Sequence, residues 1–188
     1  RQMHEILGQY SDKVESFGLD ESWVEVSADD MDVRKGQLVA DEIRHRIHRT
    51  LGITVSVGVA DNKVMAKLGS DYKKPDATTV LPPDLYEQIV WPLPVGDLLY
   101  VGGAARKLLK QYGISTIGQL AACSEEMLET LMGKMGSQLY EYANGLDSTP
   151  VRSRYDAEPV KSVGNGTTFP KNLTTPDQVH AGIAMLAD

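Results

Sequence analysis

The stretch that decides the fold is SFGLDESWVEV, residues 16–26, in which two adjacent carboxylates lie between two apolar segments. Aromatic and β-branched residues predict short strands at 14–17 and 23–26, and Gly18 marks the break between them. Asp20 and Glu21 therefore lie at or near the tip of a predicted hairpin. The position of these two side chains, more than the composition of the segment, suggests chemistry.

Neighbouring side chains on a regular strand point to opposite faces, so Asp20 and Glu21 can serve one metal cluster only where the backbone turns. A tip that contains glycine allows such a turn. Two divalent cations about 3.5–4 Å apart can then clamp the attacking and leaving oxygens of a phosphoryl transfer. A solvated acidic turn is the alternative, because short metal motifs have a high false-positive rate.

A second cluster is DNKVMAKLGSDYKKPD, residues 61–76. Asn62 occupies the position expected for a helix N-cap. Lys67 and Lys74 are two helical turns apart, so they can share one face of the predicted helix. The other two basic side chains of this segment, Lys63 and Lys73, are predicted to be solvated surface charges.

The remaining pattern of the first half predicts an α+β layer. Acidic residues at 29–32 predict a helix start, and the helix that follows has an apolar stripe at a spacing of four, formed by Val39, Ile43, Ile47 and Leu51. Residues 53–60 predict a strand with a β-branched face and a small-residue face, which allows either ligand approach or helix packing. The order of elements predicts helices on one face of an antiparallel sheet.

Beyond a predicted hinge at residues 91–94, the pattern is helical. Helices are predicted at 104–111, 117–121, 125–132 and 135–143. Ser124 is a plausible N-cap, since acidic residues follow it in the first turn. Met127, Met132 and Met135 are predicted to fill gaps between the helices. A polar segment with two prolines, 145–159, predicts a linker.

Taken together, these motifs resemble the Y-family DNA polymerases, the UmuC/DinB superfamily of translesion enzymes. The palm is suggested by Leu19-Asp20-Glu21, Asn62-Lys63, Ala66-Lys67 and Lys74-Pro75. The thumb is suggested by residues 97–102 and 112–120, and the entry to the little finger by residues 161–165 and 167–170. The resemblance extends over essentially the whole chain.

The resemblance implies an α+β fold: a ferredoxin-like polymerase palm portion, a small all-helical thumb of helix-hairpin-helix type and the start of a little finger. The implied boundaries are 1–91 for the partial palm, 92–149 for the thumb, 150–160 for a linker and 161–188 for the little finger. In the family, another palm strand with the first metal-binding Asp and a fingers domain precede this region. The chain is therefore expected to be a piece of a longer polymerase and to be inactive alone.

The resemblance also assigns roles in the palm. Asp20 would bridge both cations, and Glu21 would hold the metal that activates the primer 3′-hydroxyl. The implied metal is Mg²⁺, with Mn²⁺ as a substitute. Lys74 and Lys67 would bind the nucleotide triphosphate, since lysine is a compact charge suited to phosphate. A lysine at a helix C-terminus that interacts with the helix dipole is the alternative for Lys74.

In the thumb, Val101-Gly102-Gly103 followed by a helix resembles a hairpin whose backbone N–H groups hold a DNA phosphate. Tyr100 stands where the usual motif has glycine, and we expect this to alter the turn because tyrosine resists a positive φ. Lys107 and Lys110 would add phosphate contacts, or would simply form the solvated face of the helix.

The function implied is a translesion DNA-directed DNA polymerase that adds deoxynucleotides to a primer by two-metal transfer. Its partners would be primer-template DNA and dNTPs, and a sliding clamp contacted through a segment outside this chain. A noncatalytic DNA-binding or assembly module that kept the fold is the competing hypothesis. A nucleotidyl cyclase is a third option, which the helical thumb disfavours.

Composition limits the setting of the protein. The 188 residues have a net charge of −7 and a pI near 5.1, which argues against tight nonspecific DNA binding by the chain alone. DNA binding by one face remains compatible, because four lysines lie between positions 63 and 74. A single cysteine rules out an internal disulfide, and the apolar stretches are short. The single cysteine fits a reducing cytoplasm, and we expect no membrane segment. The family resemblance implies a cytoplasmic protein that is bacterial-type and nucleoid-associated.

Overall fold

The computed structural model describes residues 2–26, 32–156 and 162–187. The chain divides into two compact units, Arg1–Tyr155 and Asp156–Asp188. The finer division into palm, thumb, linker and little finger stays a prediction. No helix in the described parts of the chain is long and apolar enough to cross a bilayer.

The first unit opens with helix α1, Gln2–Leu7, and an antiparallel hairpin of β1, Val14–Phe17, and β2, Glu21–Val24. Phe17 pairs with Glu21, so residues 18–20 form the turn, and Gly18 adopts a φ of 74° there. The predicted bounds of β1 are confirmed. The second strand starts two residues earlier than predicted because the left-handed glycine closes the turn tightly.

Helix α2, Gly36–Leu51, packs its apolar stripe on α1 and β1. A short 3₁₀ turn, Val33–Lys35, precedes it, and the Asp32 side chain caps that turn by accepting a hydrogen bond from the Arg34 N–H. Asp32 is thus confirmed as part of the predicted helix start. Residues 29–31 lie outside the described residues.

The next elements are β3, Val57–Val59, helix α3, Lys63–Tyr72, and β4, Thr78–Val80. The predicted single antiparallel sheet is wrong for the described residues, which form two separate two-stranded ladders, β1–β2 antiparallel and β3–β4 parallel. Because α3 connects β3 to β4 as a crossover, these two strands run parallel. The predicted strand at 53–60 is too long, since β4 offers only three paired residues.

The small-residue face of β3 serves helix packing at its centre. A methyl group placed on Gly58 would lie 1.8 Å from the Ala66 carbonyl oxygen and 2.5 Å from the Ser70 backbone nitrogen. Glycine at position 58 therefore lets α3 approach the strand closely.

Four helices follow: α4, Gly103–Gln111; α5, Ile117–Ala121; α6, Glu125–Met132; and α7, Lys134–Ala143. They match the predicted helices within about a residue, and Ser124 caps α6 by accepting from the Met127 N–H at 3.2 Å. Met132 packs against the core, but Met127 and Met135 are 38% and 39% exposed, so core filling is wrong for those two. One core cluster runs from α3 into these helices.

The second unit contains helix α8, Pro176–Ala187. Gly182 of this helix packs closely against the side chains of Phe169 and Leu173. The Asn165 amide donates a hydrogen bond to the Leu186 carbonyl oxygen at 3.1 Å. These contacts give the unit a small packing centre of its own.

Candidate active site

The hairpin of β1 and β2 carries Asp20 and Glu21, and we call it the carboxylate hairpin. It packs against the start of helix α3. The rings of Phe17 and Trp23 lie 4.8 Å apart on the hairpin, and the Trp23 indole N–H donates to the Lys63 carbonyl oxygen at 2.9 Å. Asp20 lies exposed in the turn, and Glu21 is the half-buried first residue of β2. The hairpin therefore holds both carboxylates beside helix α3, which carries Lys67. Lys74 lies beyond the end of α3 at Tyr72, so the prediction that the two lysines share one face of the helix is wrong.

Helix α3 is capped as predicted. The Asn62 side-chain oxygen accepts from the Met65 N–H at 2.9 Å, which confirms the N-cap. The Asn62 amide also donates to the Gly145 carbonyl oxygen at 3.3 Å, so the start of α3 is joined to the end of the helical region. Nearby, Tyr86 donates to Asp61, and burial followed by this hydrogen bond raises the pKa of Tyr86.

Lys67 lies between two carboxylates. Its Nζ atom is 3.0 Å from Glu21 Oε1 and 2.5 Å from Asp71 Oδ2. Partial burial by itself lowers the pKa of Lys67, but the hydrogen bonds and charges of Asp71 and Glu21 outweigh it, so the pKa is raised. Lys67 therefore stays charged at neutral pH and links α3 to the hairpin.

Asp71 is a residue of the cluster that sequence reasoning missed. Its Oδ1 lies 2.6 Å from Lys74 Nζ, so Asp71 is shared by both lysines. Burial raises the pKa of Asp71, yet the hydrogen bonds from Lys67 and Lys74 dominate and lower it. Its spacing, four residues after Lys67 and three before Lys74, is the signal that could have identified it.

A cavity of about 1050 Å³ brings the predicted palm residues together. Its wall includes Asp20, Glu21, Lys67 and Lys74. Charges of both signs thus face one space, as a site for a metal-bound polyphosphate requires. The segments that line it come from the hairpin, α2, β3, α3 and residues 147–151.

The two carboxylates fit part of a divalent metal site. Mg²⁺ prefers oxygen ligands and is commonly held by one or two protein carboxylates together with waters and substrate phosphates. Within residues 2–26, 32–156 and 162–187, no group of three or more His, Cys, Asp or Glu side chains is arranged to hold a metal. Asp20 and Glu21 therefore match the ligand type and supply a partial ligand set.

Lys63 differs from its prediction as a solvated surface charge. Its side chain is 8% exposed, and its Nζ atom lies 2.5 Å from Glu15 Oε2 and 5.0 Å from the centre of the Trp23 ring. The prediction was wrong because the hairpin folds over the first turn of α3, which single-sequence spacing does not reveal.

The predicted thumb hairpin precedes α4. Val101 is buried, whereas Gly102 and Gly103 are exposed, and a Cβ added at either glycine would have no neighbouring atom within 4 Å. No described side chain caps α4, whose N-cap is Gly102. The Val101 and Gly102 N–H groups donate to the Leu98 and Tyr100 carbonyl oxygens at 3.1 and 3.0 Å, so the prediction that these two N–H groups are available to a phosphate is wrong. Tyr100 adopts a φ of 68°, so the turn accepts a tyrosine in the left-handed region and the expected alteration is wrong.

The basic residues of α4 are exposed. Lys107 and Lys110 make no ion pair with any described residue. Their side chains are therefore available to an anion, and equally they are ordinary solvated lysines of a helix. Both predicted roles stay open on the structure.

Comparison with known families matches two parts of the chain. Residues 1–71 match the impB/mucB/samB family, and residues 96–147 match the family described as the DNA polymerase-iota thumb domain. DNA polymerase IV of Acetivibrio thermocellus is 47% identical over 184 residues, which cover 98% of this chain and 46% of that protein. The chain belongs to the Y-family DNA polymerases, the UmuC/DinB superfamily.

Solved Y-family structures agree with this assignment. DinB from Sulfolobus solfataricus superposes with a TM-score of 0.72 at 27% identity, over 81% of this chain and 45% of that chain. The insertion ternary complex of Dbh DNA polymerase gives the same TM-score and identity over 80% and 44%. The α+β palm and helical thumb fold is confirmed, and the chain spans about half the length of these Y-family relatives.

Proposed function

We propose that this chain forms the palm and thumb of a DNA-directed DNA polymerase of the translesion type, which adds dNTPs to a primer. The observation that carries the proposal is the placement of Asp20 and Glu21 in one cavity with Lys67 and Lys74. Y-family membership supplies the reaction class. The relatives that the chain matches are named DNA polymerase IV, and the chain spans about half of their length.

In this proposal, Asp20 and Glu21 hold divalent metal, with Mg²⁺ as the physiological ion and Mn²⁺ as a substitute. When bound, such a metal activates the primer hydroxyl and neutralises charge on the phosphates. Lys74 binds the triphosphate, because its side chain is more than half exposed and reaches the cavity. Lys67 holds Glu21 in place through an ion pair and lies within reach of the same phosphates.

The thumb contributes DNA binding without sequence readout. The exposed start of α4 at Gly102 and Gly103, which no described side chain caps, offers a site for a backbone phosphate, and Lys107 and Lys110 extend the positive surface. Primer-template DNA and a dNTP are the proposed partners, and the likeness to an insertion ternary complex of Dbh DNA polymerase supports them. A sliding clamp, contacted outside this chain, and a cytoplasmic, nucleoid-associated location complete the proposal.

The domain boundaries belong to the same proposal. We infer a partial palm at 1–91, a thumb at 92–149, a connecting segment at 150–160 and the start of a little finger at 161–188. The thumb-family match over residues 96–147 supports the inferred thumb at 92–149.

The test is primer extension by the protein expressed from its full coding sequence. The variant Asp20→Ala with Glu21→Ala should abolish metal-dependent incorporation and retain primer-template binding. Glu25→Gln is the matched control, because Glu25 follows the same hairpin and pairs only at the surface with Lys13. Binding of primer-template without incorporation by the parent, under varied metals and nucleotides, would instead support a noncatalytic module. The 188-residue chain alone is expected to incorporate nothing.

A further inference from the structure

Three segments distant in sequence meet at one carboxylate. Glu15 belongs to β1, Lys63 begins helix α3, and Arg152 follows the helical region. The Glu15 side chain is only 10% exposed. A carboxylate at this depth needs charged or hydrogen-bonding partners to remain ionised.

Both carboxylate oxygens of Glu15 are engaged. Oε2 accepts from Lys63 Nζ at 2.5 Å and from the Arg152 backbone N–H at 2.9 Å. Oε1 lies 3.3 Å from Arg152 Nε. Burial favours the neutral acid, but the hydrogen bonds from Lys63 and Arg152 outweigh it and lower the pKa of Glu15. Glu15 is thus ionised at neutral pH.

Backbone contacts extend the junction along β1. The Arg154 N–H donates to the Asp12 carbonyl oxygen at 2.9 Å, and the Ser153 hydroxyl donates to the same oxygen at 3.3 Å. Residues 152–154, which the sequence places in a linker, are therefore bound to the base of the hairpin. This part of the connecting segment has a fixed path.

A short series of contacts joins the junction to the candidate active site. Glu15 pairs across the hairpin with Trp23, whose indole N–H binds the carbonyl oxygen of Lys63. One helical turn after Lys63, Lys67 reaches Glu21. A displacement of the hairpin relative to α3 would therefore change the distance between the carboxylates and the lysines together.

We propose that Glu15 is a positioning residue. Through Lys63 and Arg152, it fixes the hairpin of β1 and β2 against the face of α3 that carries Lys63 and Lys67. It also ties residues 152–154 to that hairpin. The role rests on the proposed polymerase function for its catalytic consequence. Its structural part, the fastening of the three segments, does not depend on that function. The two parts are tested by different readouts.

The fastening is tested by amide hydrogen exchange on the 188-residue chain. In Glu15→Gln, the backbone amides of Arg152 and Arg154 should exchange about tenfold faster. Without the Glu15 charge, detaching residues 152–154 from β1 no longer breaks an ion pair, so local opening costs less free energy. Glu25→Gln is the control, since it removes a carboxylate from the exposed pair with Lys13 after the same hairpin. Equal exchange in Glu15→Gln and the parent would overturn the inference.

The positioning is tested by incorporation kinetics on the protein from its full coding sequence. Glu15→Gln should lower kcat about tenfold, because small misplacements of reacting groups cost large factors in rate. The KM for nucleotide should change much less, since Lys74 is untouched. Glu25→Gln should retain the parental kcat.

A double variant separates positioning from stability. Glu15→Gln with Lys63→Met removes both buried charges, so much of the lost thermal stability should return. The low kcat should persist, because the contact between Glu15 and Arg152 is still lost. Recovery of kcat in step with thermal stability would show a merely structural role and overturn the positioning. An inactive parent would refute the proposed function and leave the exchange experiment to decide the fastening.

Discussion

Lys67 Nζ lies 3.0 Å from Glu21 Oε1 and connects helix α3 to the hairpin of β1 and β2. The same ammonium group lies 2.5 Å from Asp71, which also binds Lys74. Acidic and basic side chains thus alternate from the candidate metal ligand to the candidate phosphate ligand. Any cation that binds Glu21 must compete with Lys67 for its carboxylate.

Replacing Lys67 by methionine should tighten Mn²⁺ binding to the 188-residue chain. The substitution removes a positive charge beside Glu21, and a partly exposed pair of this kind contributes about 0.5–1 kcal/mol, or roughly two- to fivefold in affinity. Titration of Mn²⁺ followed by electron paramagnetic resonance measures the change. Lys74→Met is the control, since Lys74 contacts Asp71 and should alter Mn²⁺ affinity less. Unchanged or weaker binding in Lys67→Met would argue against Glu21 as a ligand.

Gly58→Ala should destabilise the first unit by about 3 kcal/mol, at the upper end of the usual cost of overpacking. The added methyl group would meet the backbone of α3 at Ala66 and Ser70, so the helix has to move as a body. Urea denaturation measures the loss. Gly103→Ala is the matched control, because a methyl group there meets nothing within 4 Å and alanine favours a helix. Equal stability of the two variants would contradict the close approach of β3 and α3.

The conformation of Tyr100 gives a prediction that separates backbone strain from side-chain packing. Its ring stacks on Tyr142 with centroids 6.1 Å apart, while its φ of 68° is unfavourable for a residue with a Cβ. Tyr100→Gly and Tyr100→Ala lose the same stacking, but only glycine relieves the backbone. The glycine variant should therefore be more stable than the alanine variant by about 1 kcal/mol in urea denaturation. A more stable alanine variant would show that the turn is not left-handed in solution.

Local signals predicted much of this molecule from its sequence. The turn at Gly18, the cap at Asn62 and the helices from α4 to α7 follow from nearest-neighbour chemistry, which a single sequence records. The cluster of acidic and basic residues around the cavity was found because the motif spacing resembles a known palm.

The features that were missed depend on contacts between distant segments. The hairpin folds over Lys63, and residues 152–154 return to β1, which no periodicity indicates. The parallel pairing of β3 with β4 was missed because the crossover role of α3 depends on where β4 docks. Asp71 was missed although its spacing was visible, because an acidic residue near the end of a predicted helix is ordinarily a solvated surface charge.

The Glu15 junction predicts a specific pH dependence of stability. Burial raises the pKa of Glu15, but the hydrogen bonds and charges of Lys63 and Arg152 outweigh it and hold the pKa below its ordinary value of 4.5. A carboxylate whose pKa is lowered by folding stabilises the fold fully above its unfolded pKa and loses that contribution as the pH falls through the folded value. The free energy of unfolding of the parent should therefore exceed that of Glu15→Gln by about 3 kcal/mol at pH 7, which is the usual cost when a buried ion pair loses one partner.

Urea denaturation of the 188-residue chain between pH 7 and pH 3 measures that difference. The advantage of the parent over Glu15→Gln should stay constant down to about pH 5 and shrink at lower pH, since protonation of Glu15 makes the two proteins alike in charge. Glu25→Gln should differ from the parent by less than about 1 kcal/mol throughout, because the pair of Glu25 with Lys13 is exposed. An advantage that persists undiminished at pH 3 would mean that the Glu15 charge does not hold the junction together.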